Sequence, residues 1–345
     1  MVFAIIYLLL EKGILGDSQY YPSTGNPYVS LGNTFIVTVL AAFISGLLVG
    51  GIEIFFLNKV FLKRSLGQKI FFKTIIYLAI IFSFLFNISL VNNAIELQRG
   101  LLHQEVWNNV WLFLSNFAFW SVELYIASII GVSLFYAEVS DNLGHGVLNN
   151  FFIGKYHTPL EEERIFMFLD MKSSTSIAEH LGHVRYFEML KEYYADLSEP
   201  IITFSGEVYQ YVGDEVIVSW KLKNGLNQSN CIRCFFSMKK ELKRKEEKYK
   251  TTFGIIPTFK AGLHLGKVTT GEIGVIKKDI IFTGDVLNTT ARIQGLCNSY
   301  DVDILISDQL VKRMERNDSF WVNSLGKKEL KGKDERVELF TVQMK

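Results

Sequence analysis

RIFMFLDMKSST, residues Arg164 to Thr175, decides how the polar half of this chain folds. The run Ile165 to Leu169 is fully apolar and too short for a helix, so it reads as a buried strand. Asp170 ends that strand. Ser173, Ser174 and Thr175 then offer N-caps for a helix in which Ile177, Leu181, Tyr186, Leu190 and Tyr194 recur at helical spacing. Downstream, GEVYQYVGDEVIVSW (206–220) reads as strand, tight turn and strand, with Asp214 on the turn and Glu215 beside it facing away as a bystander. SNCIRCFFSMKKELKRKEEKYK (229–250) is an amphipathic helix, and PTFKAGLHLGKVTTGEIG (257–274) predicts a hairpin around Gly266. DIIFTGDVLNTTARIQGLC (279–297) runs from strand into helix, DILISDQLVKRM (303–314) repeats strand and helix, and the tail from Phe320 supplies the last strands. The β-α-β-β-α-β order predicts an α+β sheet with helices on one face.

Outside this half the composition changes. The 345-residue chain is 49% hydrophobic and 14% aromatic, and most of that excess lies before about Tyr136. A membrane-crossing helix needs about 20 apolar residues. Phe35–Leu57, Thr74–Val91 and Val110–Tyr136 approach or exceed that length, and Val2–Leu15 is a short fourth candidate, giving a bundle of about four spans. Lys59, Lys63, Arg64, Lys69 and Lys73 make one loop strongly basic and therefore cytoplasmic, which puts the polar half in the cytoplasm as well. The expected setting is an inner or plasma membrane crossed several times, with the lipid bilayer as a partner. Glu53 is expected to snorkel at the cytoplasmic edge. Glu123, deeper and near Asn116, suits a sensing or inter-helix role. A transporter is disfavoured by the lack of paired repeats or broken-helix signals. The expected division is a transmembrane module over 1–137, a connector over 138–160 and a catalytic domain over 161–345.

A net charge of +1 gives no basic footprint for nucleic acid. Three cysteines argue against a disulfide framework, and Cys231 with Cys234, at i and i+3 in a helical pattern, reads as structural.

Chemistry concentrates at three places. If the strands bearing Asp170 and Asp214 are neighbours, both carboxylates reach one edge of the sheet, beside a helix N-terminus suited to phosphate. Singly, each has a plain structural explanation, as cap or turn residue. The third place is FTGDVLNTTARIQ (282–294), where Asn288 and Arg292 share one helix face, an amide and a guanidinium suited to a phosphorus centre gathering charge.

FMFLDMKSST, YVGDEVIVSW and FTGDVLNTTARIQ, in this order, resemble the class III nucleotidyl cyclase catalytic domain, from about Glu161 to Lys345. LKGKDERVELFTV (330–342) is similar to that family's closing segment. The resemblance implies a ferredoxin-like fold and cyclisation of a purine nucleoside triphosphate, ATP or GTP, to the 3′,5′-monophosphate with release of pyrophosphate. It implies two Mg²⁺ or Mn²⁺ ions on Asp170 and Asp214, with Asn288 orienting the ribose and Arg292 stabilising the transition state. Lys331 or Lys333 would contact phosphate, beside Ser173, Ser174 and Thr175. The site would form between two copies, so the chain is expected to be a homodimer. The positions that select the base in the family hold Gln210 and Ile281 here, which match neither the adenine nor the guanine pattern and leave the base open. ATP is favoured as the commoner substrate in the family. A catalytically silent nucleotide-binding module is the competing reading. A diguanylate cyclase would need a GG-D/E-E-F turn, which VGDEV lacks.

Overall fold

The structure is a computed structural model that describes residues 31–57, 60–61, 64–143, 147–276, 278–315, 319–330 and 336–345, with residues 5, 6, 9 and 13 before them. It divides into two compact units, Met1–Leu143 and Gly144–Lys345, each considered by itself.

The first unit is helical: α1 (Leu31–Ile52) running into a π-helical turn (Glu53–Leu57), α2 (Leu66–Glu96), α3 (Gln104–Ser115) and α4 (Phe117–Leu143). Among the described residues, two stretches, Leu66–Ile95 and Phe119–Ser140, are long and apolar enough to cross a membrane. Phe43–Leu57 is apolar but shorter. The expected span Thr74–Val91 lies inside α2, and Phe35–Leu57 falls on α1 and the π turn. The expected span Val110–Tyr136 is divided. Asn116 takes an extended backbone (φ −75°, ψ 135°) and its carbonyl accepts the N–H of Phe119, so α3 ends and α4 begins there. Asn competes with helical backbone bonding, which explains a break inside an apolar run. Most of Val2–Leu15 falls outside the described residues.

Glu53 does not snorkel alone. Lys73, 3% exposed, sits 2.7 Å from Glu53 Oε1 and 3.0 Å from Glu138 Oε1, while the Tyr77 hydroxyl donates to Glu53 and Lys69 reaches Glu138 at 3.2 Å. An ammonium in apolar surroundings requires such partners. Glu123 is buried on α4, and its Oε1 has no hydrogen-bond partner among the described residues.

The second unit carries β1 (Leu160–Met171), α5 (Ser174–Thr203), β2 (Glu207–Val212), β3 (Glu215–Lys221), α6 (Asn230–Arg244), α7 (Glu246–Phe253), β4 (Phe259–Ile273), β5 (Asp279–Thr283), α8 (Asp285–Gly295), β6 (Ile304–Ser307), α9 (Asp308–Arg313), β7 (Phe320–Lys328) and β8 (Val337–Met344). One mixed sheet runs β2-β3-β1-β4-β6-β8-β7, with β5 hydrogen-bonded to β4. Strand β1 is antiparallel to both β3 and β4, and β4 is parallel to β6.

Alternation along β1 feeds two cores. Ile165, Met167 and Leu169 pack with Met189, Tyr193, Phe235 and Met238 of α5 and α6. Phe166 and Phe168 point the other way, toward Ile217, Val268 and Val286. Burial on both faces is why the strand reads as a continuous apolar run. Cys231 and Cys234 are buried in the first core as free thiols.

The sheet therefore differs from the expected one-sided sandwich, because α8 covers part of the opposite face. The expected hairpin at Gly266 is also absent: β4 continues unbroken through that residue, and the chain reverses beyond it, where Gly274 has φ 96°. Glycine serves a different purpose in β4. A Cβ on Gly262 would stand 2.4 Å from the backbone nitrogen of Gln294, and one on Gly266 3.0 Å from Val286. Without side chains there, α8 lies directly on the strand.

Gly262→Ala is accordingly expected to destabilise the second unit by about 1–3 kcal/mol, the usual cost of overpacking. The denaturant midpoint measures this, and a wild-type midpoint would mean that α8 moves away freely.

Candidate active site

Strand pairing brings the acids together. On β1, Asp170 is the cross-strand partner of Lys260 on β4, and Leu169 is that of Val216 on β3. This register sets the end of β1 level with the β2–β3 turn. Gly213 has φ 64°, a conformation glycine adopts without penalty, and it is followed directly by Asp214. The Tyr194 hydroxyl donates to the Gly213 carbonyl, and the Tyr194 ring packs on Tyr211 with centroids 4.5 Å apart, so α5 pins the turn.

The side chains of Asp170 and Asp214 are in direct contact. Burial raises the Asp170 carboxyl above its ordinary value, Asp214 adds to the rise, and Lys260 opposes it. Asp170 Oδ2 receives the Gln294 amide at 3.2 Å and lies 3.4 Å from Lys260 Nζ. Asp214 Oδ2 is buried with no hydrogen-bond partner among the described residues. Glu215 belongs to this group rather than facing away from it. Burial, then Asp170 and Asp214, push its carboxyl up to about 7.

A contacting carboxylate pair with a buried, unpartnered oxygen fits a hard divalent cation. Among the described residues, no group of three or more His, Cys, Asp or Glu side chains forms a ready cage. Two carboxylates suit Mg²⁺ or Mn²⁺, whose remaining positions are filled by water and substrate phosphate.

The other expected residues distribute as follows. Ser173 occupies the N-cap position of α5 in a left-handed conformation (φ 56°), but its side chain makes no capping bond. Ser174 and Thr175 lie in the first turn of α5. Asn288 and Arg292 lie one turn apart on α8. Asn288 is exposed, and Arg292 has its Nη1 buried with no hydrogen-bond partner among the described residues. No hydrogen bond or ion pair among the described residues joins either to Asp170 or Asp214. Gln210 is exposed on β2, next to a bulge, and Ile281 is half-buried on β5 opposite Gly271. Their chain neighbours meet: the Phe282 N–H donates to the Tyr209 hydroxyl at 3.3 Å, with ring centroids 4.8 Å apart. Lys331 and Lys333 lie outside the described residues.

Two participants escaped the sequence reading. Glu215 lies on the face of β3 that also carries Ile217, the face onto which Phe168 and Asp170 point from β1. Gln294 ends the quoted stretch FTGDVLNTTARIQ, and its only further sign was Gly262, the glycine that admits the helix.

Glu215 has a thermodynamic consequence. Its folded-state carboxyl titrates near 7 against an ordinary value of 4.5, so between these pH values the folded state holds more protons than the unfolded one. Stability of the metal-free protein should therefore fall as pH rises through that window, and Glu215→Gln should flatten the fall. Denaturant unfolding across the window checks this. A slope unchanged by the substitution would contradict it.

Comparison with known proteins identifies the family. Residues 158–344 match the adenylate and guanylate cyclase catalytic domain. Adenylate cyclase 2 of Rhizobium meliloti (strain 1021) is 32% identical over 222 residues, covering 64% of this chain and 61% of that protein. An adenylate cyclase of Anabaena cylindrica is 27% identical over 183 residues, covering 51% of this chain and 36% of the relative. The matched region thus spans less than two thirds of either relative. A bacterial light-regulated adenylyl cyclase superposes with a TM-score of 0.55 at 20% identity, over 66% of each chain, and so shares the fold. The chain belongs to the family of the adenylate and guanylate cyclase catalytic domain.

Proposed function

We propose that this chain is a membrane-anchored nucleotidyl cyclase that converts a purine nucleoside triphosphate, ATP in preference to GTP, into the 3′,5′-cyclic monophosphate and pyrophosphate. The observation that carries the reading is the contacting pair Asp170 and Asp214, with the buried Asp214 Oδ2 unpartnered, in a chain of this family. The adenylate cyclase names of the relatives favour ATP.

In this reaction the ribose 3′-oxygen attacks the α-phosphorus, the bond to pyrophosphate breaks, and the hydroxyl proton is lost. Asp170 and Asp214 would hold two divalent ions, which when bound would supply acidification of the 3′-hydroxyl and neutralisation of the triphosphate charge. Asn288 orients the ribose. Arg292 meets the charge that develops on the phosphorus, and its unpartnered Nη1 suits a guanidinium waiting for an anion. We assign these two residues to the site of a second copy, as the resemblance implies, making a homodimer with two equivalent sites; among the described residues no hydrogen bond or ion pair joins them to the aspartates of their own chain. Lys331 or Lys333, with Ser173, Ser174 and Thr175, contacts the phosphates. Gln210 and Ile281 flank the base, where an amide can donate to adenine N1 or accept from guanine N1–H.

The domain plan is a membrane module over 1–137, a connector over 138–160 and a cytoplasmic catalytic domain over 161–345. Supporting the membrane module, α2 and α4 carry long apolar stretches, and Phe71, Leu112 and Leu124 are exposed.

Incubation with Mn²⁺ and either ATP or GTP, followed by product identification, tests the activity. Cyclic AMP is expected as the main product, and no cyclic nucleotide from either substrate would refute it. Asp170→Ala and Arg292→Ala should each lower turnover by about 10²–10³-fold. Mixed, they should regain about a quarter of wild-type activity, because random pairing leaves half the dimers with one intact site of two. No recovery in mixed dimers would argue against the shared site.

A further inference from the structure

Asp170 is held by more than its own strand. Phe166, Phe168 and Asp170 alternate onto the face of β1 that α8 covers, and across β4 their register partners are His264, Gly262 and Lys260. The missing side chain at Gly262 lets the α8 backbone settle at Gln294, whose nitrogen, Cα and Cβ would lie 2.4, 2.7 and 2.8 Å from a Cβ at that position. Settled there, Gln294 is 7% exposed and its amide donates to Asp170 Oδ2 at 3.2 Å. Lys260 approaches the same oxygen at 3.4 Å and donates in turn to Asn298 Oδ1 at 3.3 Å. Both donors converge on one carboxylate oxygen.

We propose that Gln294 is a positioning residue for the metal site: it fixes the rotation of the Asp170 carboxylate, committing Oδ2 to the protein and turning the other oxygen toward the cation shared with Asp214. The inference rests on the reading of Asp170 as a metal-holding residue. Gln294 is the clean probe of the arrangement. It is a neutral donor, so its loss removes orientation without removing charge. Lys260 both orients Asp170 and repels a nearby cation, so its replacement mixes two opposed effects. A carboxylate free to rotate must be ordered when the ion binds, and loss of such supporting hydrogen bonds commonly weakens metal affinity by about 10–100-fold.

Mn²⁺ titration followed by electron paramagnetic resonance, on the full chain with 3′-deoxy-ATP as a substrate that cannot cyclise, reads this directly. Gln294→Leu and Gln294→Met, both of similar volume, guard against one of them failing to fold, and thermal unfolding identifies those that keep the native structure. Folded variants are expected to bind Mn²⁺ about 10–100-fold more weakly than the wild type. Affinity within about threefold of wild type in a folded variant would overturn the positioning role, since that lies well below the expected range. Asp170→Ala is measured alongside. If it loses Mn²⁺ while the Gln294 variants keep it, the positioning role alone falls. If it keeps Mn²⁺, the metal reading falls, and this inference with it.

Discussion

Two carboxylates of like charge, Asp170 and Asp214, are held against each other at the end of a strand buried on both faces. Burial and like charge both oppose ionisation of such a pair, and the Asp170 carboxyl rises accordingly. The rest of the second unit can be understood as what makes this arrangement tenable. Strand β1 cannot shift, because a one-residue slip would exchange Phe166 and Phe168 with Ile165, Met167 and Leu169 between the two cores. The turn cannot swing away, because the Tyr194 hydroxyl holds the Gly213 carbonyl. Lys260 and Gln294 then offset part of the negative charge on Asp170 without covering the Asp214 oxygen that lies unpartnered. A local conflict kept by a well-packed surround is the usual signature of a working site.

Helix α8 connects the parts. Its inner face, with Val286, Thr290 and Ile293, is buried against the sheet, and it closes onto β4 at two glycines. Gln294, in its last turn, touches Asp170, while Asn288 and Arg292 make no hydrogen bond or ion pair with either aspartate among the described residues. In the homodimer proposed above, one rigid helix would brace the carboxylate of its own site and supply the amide and guanidinium of the other. The geometry of the two sites would then be set by a single packing contact, that of α8 on Gly262.

Much of this was legible in the sequence because the chemistry-bearing residues sit at the ends of strongly patterned elements. Asp170 closes an unbroken apolar strand, Asp214 follows the one glycine that can make the β2–β3 turn, and Asn288 and Arg292 have helical spacing. What escaped depends on tertiary approach. Gly266 looks like a turn residue locally, and only the position of α8 shows that its missing side chain makes room for Val286. Glu215 looks like a bystander beside Asp214 until the sheet is folded and it is buried within range of both aspartates' charge. In the helical unit, hydropathy merges α3 and α4 because a single Asn116 barely changes the average, whereas one extended residue is enough to end a helix. The pairing of Lys73 with Glu53 and Glu138 joins residues far apart in sequence, so no local pattern announces it.

The most direct test of the account is an anomalous-scattering map at the manganese edge, from crystals of the chain grown with Mn²⁺ and 3′-deoxy-ATP. Manganese is expected at bonding distance from both Asp170 and Asp214 of one copy, with Asn288 and Arg292 of a second copy on the nucleotide. Manganese bound elsewhere, or a triphosphate whose ions touch neither aspartate, would contradict it.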